Sequence, residues 1–172
     1  MSASVSKPVT VTETIVAHPL ALRLEWDGKV LRKIGLTWAR EGQQPDIQTL
    51  TGWAVAKSLE RYVAGEPVDW PELPVDMEGL PPFHKKVLTE LLRIPPGETL
   101  SYGQLAAKCG SPKAFRAVGQ VMAKNPWPLI FPCHRVLATG GGLGGYGPGV
   151  EMKKWLLELE GSGEGKEVKG KR

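Results

Sequence analysis

The chain has 172 residues, 41% of them hydrophobic, enough to bury one sizeable core or two small ones without a metal or disulfide staple. Its two cysteines, Cys109 and Cys133, exclude a disulfide framework and a four-thiolate zinc site and point to a reducing, intracellular compartment. The net charge of +4 is unevenly divided: residues 1–79 carry 8 Lys and Arg against 11 Asp and Glu, whereas the remainder carries 14 against 7.

Val9–Val16 and Leu20–Trp26 alternate with period two, and Asp27-Gly28 leads into a third apolar run over Val30–Leu36. This predicts an antiparallel sheet with a hairpin. After a polar loop, Leu50, Trp53, Ala54, Leu59 and Val63 recur at helical spacing, and Gly65 is placed to end that helix. No Cys/His cluster, Gly-rich phosphate loop or carboxylate pair in this half offers chemistry. Residues 66–82, dense in proline and carboxylate, predict a linker to a second unit.

In that second unit Phe83, Val87, Leu88, Leu91 and Leu92 make one helical face, stopped by Pro95-Pro96-Gly97. Ser101 is placed to N-cap a helix over Tyr102–Cys109 that ends at Gly110. Ser111-Pro112 then starts a second helix running to about Lys124. Two short helices with one tight glycine turn read as a helix-turn-helix, or equally in spacing as two core helices. Charge favours the first: Thr99–Val150 contains Lys108, Lys113, Arg116, Lys124 and Arg135 and no acidic residue. A surface free of carboxylates suits a phosphate backbone, since each one would oppose counterion release.

Leu129-Ile130-Phe131 predicts a short buried strand delivering Pro132-Cys133-His134-Arg135-Val136, and Gly140–Gly149 follows as a glycine-rich wing or lid. Met152–Glu160 predicts a final amphipathic helix, and the tail from Ser162 to Arg172 is expected to be disordered. Taken alone, Cys133 is either a buried structural cysteine or a reactive thiol activated by neighbouring positive charge.

Pro132-Cys133-His134-Arg135-Val136, preceded by Asn125-Pro126 and followed by Gly144-Gly145-Tyr146, resembles the active-site signature of the O6-alkylguanine-DNA alkyltransferases. The likeness continues through Ser101-Tyr102-Gly103-Gln104, Pro112–Gly119 and Lys153-Lys154-Trp155-Leu156-Leu157, over about half the chain from Pro82 to Gly161. It implies an α/β (α+β) protein. A small ribonuclease H-like sheet-plus-helix domain over residues 1–79 would precede a winged helix-turn-helix-like catalytic domain over 80–161.

The implied activity is a single, irreversible transfer of the alkyl group of O6-methylguanine, or of O4-methylthymine, from double-stranded DNA to Cys133. In that resemblance His134 deprotonates the sulfur through a water to give a resting thiolate, Glu160 orients His134, and Asn125 braces the turn. Arg116 fills the space of the rotated nucleotide, Tyr102 and Tyr146 hold the base, and the Gly147 N–H meets its oxygen. Lys113, Arg135 and Val136 complete the DNA and substrate contacts.

Phe115, where relatives carry a small residue, and Gly147-Pro148, where they often carry serine then glycine, depart from the pattern. Some relatives bind zinc through the N-terminal domain, but residues 1–79 hold no cysteine and only His18, so neither metal nor cofactor is expected. No apolar run nears the roughly 18 residues of a membrane span, and Met1–Thr10 lacks the character of a signal peptide. A cytoplasmic monomer, at the nucleoid or in a nucleus, is the expectation. Competing readings are a lesion sensor that binds without transfer, although such proteins lack the cysteine, a winged-helix regulator in which Cys133 merely packs, and a thiol hydrolase.

Overall fold

A computed structural model describes residues 10–138 and 140–162; the expectation of a disordered tail falls, beyond Ser162, outside these. The period-two runs form strands β1 (Thr10–Ala17), β2 (Leu20–Asp27) and β3 (Val30–Trp38), in an antiparallel sheet of order β1-β2-β3. Asp27 pairs with Val30 across a two-residue turn, where Gly28 takes φ +58°, a conformation a side chain would disfavour. Leu20, Leu22, Leu24 and Trp26 turn one face of β2 into the core.

Helix α1 (Leu50–Val63) lies on the sheet through Gly52, Val55, Ala56, Leu59 and Tyr62. This corrects the expected face: Leu50 is 90% and Trp53 60% exposed, and Ala54 is exposed too. Glu13 sets the helix rotation. Its buried carboxylate accepts from the backbone N–H groups of Gln48 and Thr49, the Thr49 hydroxyl and the Trp26 indole. Gly52 lies so close to it that an added Cβ would sit 2.6 Å from Oε1. The helix start is thereby pinned with Gly52 facing the sheet.

Residues 66–81 cross to the second half without helix or strand but are not a free linker. Trp70 packs on Tyr62 with ring centroids 5.5 Å apart, Leu73 is buried, and Pro74 accepts from the Leu31 N–H. The outer edge of β3 is also held by the C-terminal half: Ile34 N–H donates to Pro126, and the Trp127 indole donates to the Leu31 carbonyl. A three-stranded sheet would otherwise leave that edge open. Buried apolar side chains run continuously from one half into the other.

The C-terminal half contains α2 (Pro82–Leu91), α3 (Tyr102–Lys108), α4 (Phe115–Ala123) and α5 (Val150–Leu159), plus two-residue strands β4 (Leu100–Ser101) and β5 (Val136–Leu137) that pair in parallel. The whole is an α+β fold, a small sheet and helix followed by a helical region. Leu92 leaves the α2 face and is 50% exposed, because the helix ends a residue earlier. Ser101 caps α3 in a reciprocal box with Gln104.

Two local expectations fail. Ser111 does not cap α4; Ser111-Pro112-Lys113-Ala114 closes a β-turn by Ala114 N–H to the Ser111 carbonyl, with serine and proline at its first two positions, and α4 starts at Phe115. Leu129-Ile130-Phe131 is not a strand but a buried turn, with Leu129 at φ +75° and the Phe131 N–H bonded to the Trp127 carbonyl. No described helix is long and apolar enough to cross a membrane.

Candidate active site

Cys133-His134-Arg135 form one 3-10 turn between the Leu129–Phe131 turn and β5, so the three side chains diverge from a compact bend rather than alternating along a strand. Asn125, just past α4, fastens that bend. Its amide Nδ2 donates to the Phe131 carbonyl at 2.9 Å, and its Oδ1 accepts from Trp127 N–H at 3.0 Å. One side chain thus ties the end of the second helix of the helix-turn-helix to the loop carrying the cysteine.

His134 is fully buried, and its Nε2 lies 2.7 Å from Oε1 of Glu160, the residue that ends α5. Arg135 grips the same carboxylate with a two-pronged fork, Nε to Oε2 at 2.9 Å and Nη2 to Oε1 at 2.8 Å, while Nη1 donates to the Ile94 carbonyl. Tyr62 of α1 adds a donor to Oε1 at 2.7 Å. Burial pushes the Glu160 carboxyl up, but His134 and Arg135 outweigh it and bring it down to about 2.

An ionised carboxylate can only accept, so the proton between the pair sits on His134 Nε2. Burial is the main force on His134 and lowers its pKa, with Glu160 opposing, so the ring is neutral near pH 7. In that tautomer Nδ1 is a bare acceptor, and it has no hydrogen-bond partner among the described residues. The ring therefore presents a free base, held rigidly from behind.

Cys133 is 6% exposed. Burial pushes its thiol up, and the Asn125 amide and Lys153 ammonium oppose this without overcoming it. Burial thus favours the protonated sulfur, against the resting thiolate expected from the sequence, until a base takes the proton. Lys153 on α5 is itself buried, donates to the Val136 carbonyl at 2.8 Å, and is pushed down to about 8 by burial. A nearby ammonium stabilises a sulfur anion only as that anion forms.

Tyr102 opens α3 half-buried; burial and then the sulfur's charge push its phenol up. Gly144 passes beside it at φ +70°, where a Cβ would be 3.2 Å from the Tyr102 hydroxyl, so the glycine-rich loop closes over the site at a position only glycine suits. From that loop Tyr146 packs edge-on to His134, ring centroids 6.4 Å apart, and its hydroxyl is buried with no partner. Gly147 beside it is exposed.

The structure thus gathers Cys133, His134, Glu160, Asn125, Tyr102 and Tyr146. Arg116 and Lys113 stand apart, exposed on α4 and the turn before it with no ion pair among the described residues. One expected DNA contact is corrected: the Arg135 side chain is buried and held by Glu160, so it does not reach outward, whereas the Val136 side chain is buried in β5 and its carbonyl accepts from Lys153. Tyr62 and Lys153 were given no role by the sequence. Tyr62 had a signal, since with Val55 and Leu59 it repeats at helical spacing and a buried phenol calls for a partner. Among the described residues no group of three or more His, Cys, Asp and Glu side chains is placed to hold a metal ion.

Residues 82–162 match the family profile described as 6-O-methylguanine DNA methyltransferase, DNA binding domain. The methylated-DNA–protein-cysteine methyltransferase of Shigella flexneri is 36% identical over 137 residues, 80% of this chain and 79% of that protein. The chain belongs to the methylated-DNA–protein-cysteine methyltransferase family. The constitutive member from Bacillus subtilis is 42% identical over 125 residues, covering 72% of this chain and 74% of that protein. Among solved structures, Mycobacterium tuberculosis O6-methylguanine methyltransferase superposes with a TM-score of 0.72 at 37% identity, over 90% of this chain and 94% of that one. Mycobacterium tuberculosis OGT in complex with DNA gives 0.72 at 38%, over 87% and 91%. The likeness therefore extends through the N-terminal sheet as well as the methyltransferase site.

Proposed function

We propose that this protein repairs DNA by moving the alkyl group of O6-alkylguanine onto Cys133, once per molecule. The observation that carries it is a buried thiol in the same 3-10 turn as a neutral histidine whose Nδ1 is unpaired and whose Nε2 is held by an ionised glutamate. The sulfur attacks the alkyl carbon, an S–C bond forms, and the bond from that carbon to guanine O6 breaks. The thiol proton passes, through a bridging water, to His134 Nδ1. Guanine leaves with the electron pair of the broken bond, eased by hydrogen bonds from the Tyr102 phenol and the Gly147 N–H. The product is a thioether that no nearby group is equipped to cleave, so the protein is consumed.

The target atom lies inside the duplex, so the nucleotide must be rotated out before the sulfur can reach it. Exposed Arg116, without an acidic partner among the described residues, is suited to occupy the vacated stack, and Lys113 to meet a phosphate. Tyr146, hydroxyl unpaired, is suited to cover the base. This reading takes residues 1–79 as a ribonuclease H-like domain and 80–161 as a winged helix-turn-helix domain, in a protein acting as a monomer.

The test is intact mass after incubation with a duplex containing O6-methylguanine. One added methyl per chain, absent in Cys133→Ala, is expected; an unmodified wild-type chain that only binds the duplex would make it a lesion sensor.

A further inference from the structure

We propose that Tyr62 is a positioning residue of the transfer, a neutral donor from the N-terminal half that holds Glu160 in register with His134. The inference rests on the alkyl-transfer reading. Tyr62 lies 98 residues from Glu160 in sequence, yet its hydroxyl donates to Oε1 at 2.7 Å, the oxygen that also meets His134 Nε2 at 2.7 Å and Arg135 Nη2 at 2.8 Å. The ring is 5% exposed and packed on Trp70 of the crossing segment, so the hydroxyl has little freedom to point elsewhere.

The chemistry of the contact follows from charge. Glu160 is ionised and can only accept, so Tyr62 must donate. Burial first and then the Glu160 charge push the phenol far above its ordinary range, so it keeps its proton and serves as a fixed dipole rather than a proton carrier. Three donors share Oε1, and each draws charge from the oxygen that faces His134. The less charge Oε1 offers, the less an imidazolium is favoured, and the more of His134 stays neutral with Nδ1 open to accept. The charged and titratable groups facing the pair are Arg135 from the 3-10 turn, Lys153 from α5, Cys133, Tyr146 from the glycine loop and Tyr62 itself. Of these, Tyr62 is the one contributed by the N-terminal half.

Tyr62→Phe keeps the ring and its packing on Trp70 and removes only the donor. His134 should then hold its proton to higher pH. The acid limb of the transfer rate, followed with free O6-methylguanine base so that duplex binding plays no part, is expected to move up by about half to one pH unit. That is a slowing of about 3–10-fold on that limb, since each unit there is tenfold. Affinity for an unmodified duplex should change less than about twofold, because the residue is buried and cannot meet a phosphate. A second variant moves the other way: 3,5-difluorotyrosine at position 62 alone is a stronger donor and should lower the limb.

If wild type takes up no alkyl group, the functional reading fails. If wild type transfers and the Tyr62→Phe profile superimposes on it, this inference alone is overturned. A uniform loss of rate with a lower Tm and an unmoved limb would likewise overturn it, by showing a structural role only.

Discussion

Each half of the molecule holds one carboxylate away from water, and the two are treated differently. Glu13 in the N-terminal sheet is surrounded by donors from the backbone and side chains of its own half, and every partner is local to the start of α1 or to β2. Glu160 gathers donors from α1, from the 3-10 turn and from His134, and beyond His134 the hydrogen bonding stops at an unpaired Nδ1. A buried polar group with all its partners closes a structure. A chain of buried polar groups that ends on a bare acceptor, in the same turn as a thiol, leaves a site open to a proton. On the proposed function, the contrast separates the carboxylate that builds the protein from the one that serves its chemistry.

The largest expected effect is at Glu160. Glu160→Gln removes the charge that fixes the His134 tautomer and leaves the Arg135 guanidinium buried without its counter-ion. Transfer to Cys133 should fall by about a hundredfold or more, measured as alkyl uptake per folded molecule. Loss of a partner from a buried pair should also cost about 3–5 kcal/mol of stability by denaturant unfolding. Because its folded pKa is depressed to about 2, the wild-type carboxylate stabilises fully above its ordinary value of 4.5 and loses that contribution as pH falls towards 2. Glu160→Gln should flatten the acid side of the stability profile; an unchanged profile would deny the ion pair its role.

Glu13→Gln sharpens the comparison from the other side. Burial pushes the Glu13 carboxyl up, but the N–H groups of Gln48 and Thr49, the Thr49 hydroxyl and the Trp26 indole hold it below the ordinary range. The amide must turn an NH2 group toward some of those donors, so stability should fall by about 2–4 kcal/mol. Transfer per folded molecule should stay within about twofold. A folded Glu13→Gln protein as slow as Glu160→Gln would erase the distinction between the halves. The smallest intrinsic effect is expected at Arg116→Ala, which should leave the reaction with free O6-alkylguanine base unchanged and slow that with duplex DNA. Equal slowing of both would remove Arg116 from nucleotide rotation.

Local patterns were legible where local forces decide. The alternation of β1 to β3, the Ser101–Gln104 box and the glycines closing α1 and α3 depend on neighbours within a few residues, and they stand at the expected places. Errors arose where two local rules competed or a distant group intervened. Ser111-Pro112 satisfied both a helix start and a β-turn, and the turn won. The α1 face was misread because Glu13, more than thirty residues away, dictates which side packs. Arg135 looked like a DNA contact by its place in a basic stretch, until α5 brought Glu160 to it.

By itself, the sequence determined the three strands of the sheet and the five described helices, the acid-free stretch Thr99–Val150, and the motif with Cys133 beside His134, because these are properties of composition and short spacing. Only the tertiary structure decided that the cysteine is buried, that Arg135 turns inward, and that Lys153 and Tyr62 join the site. Each depends on burial and on partners far along the chain, and electrostatics in a low-dielectric interior is set by what folding brings within about 4 Å rather than by what lies next in sequence.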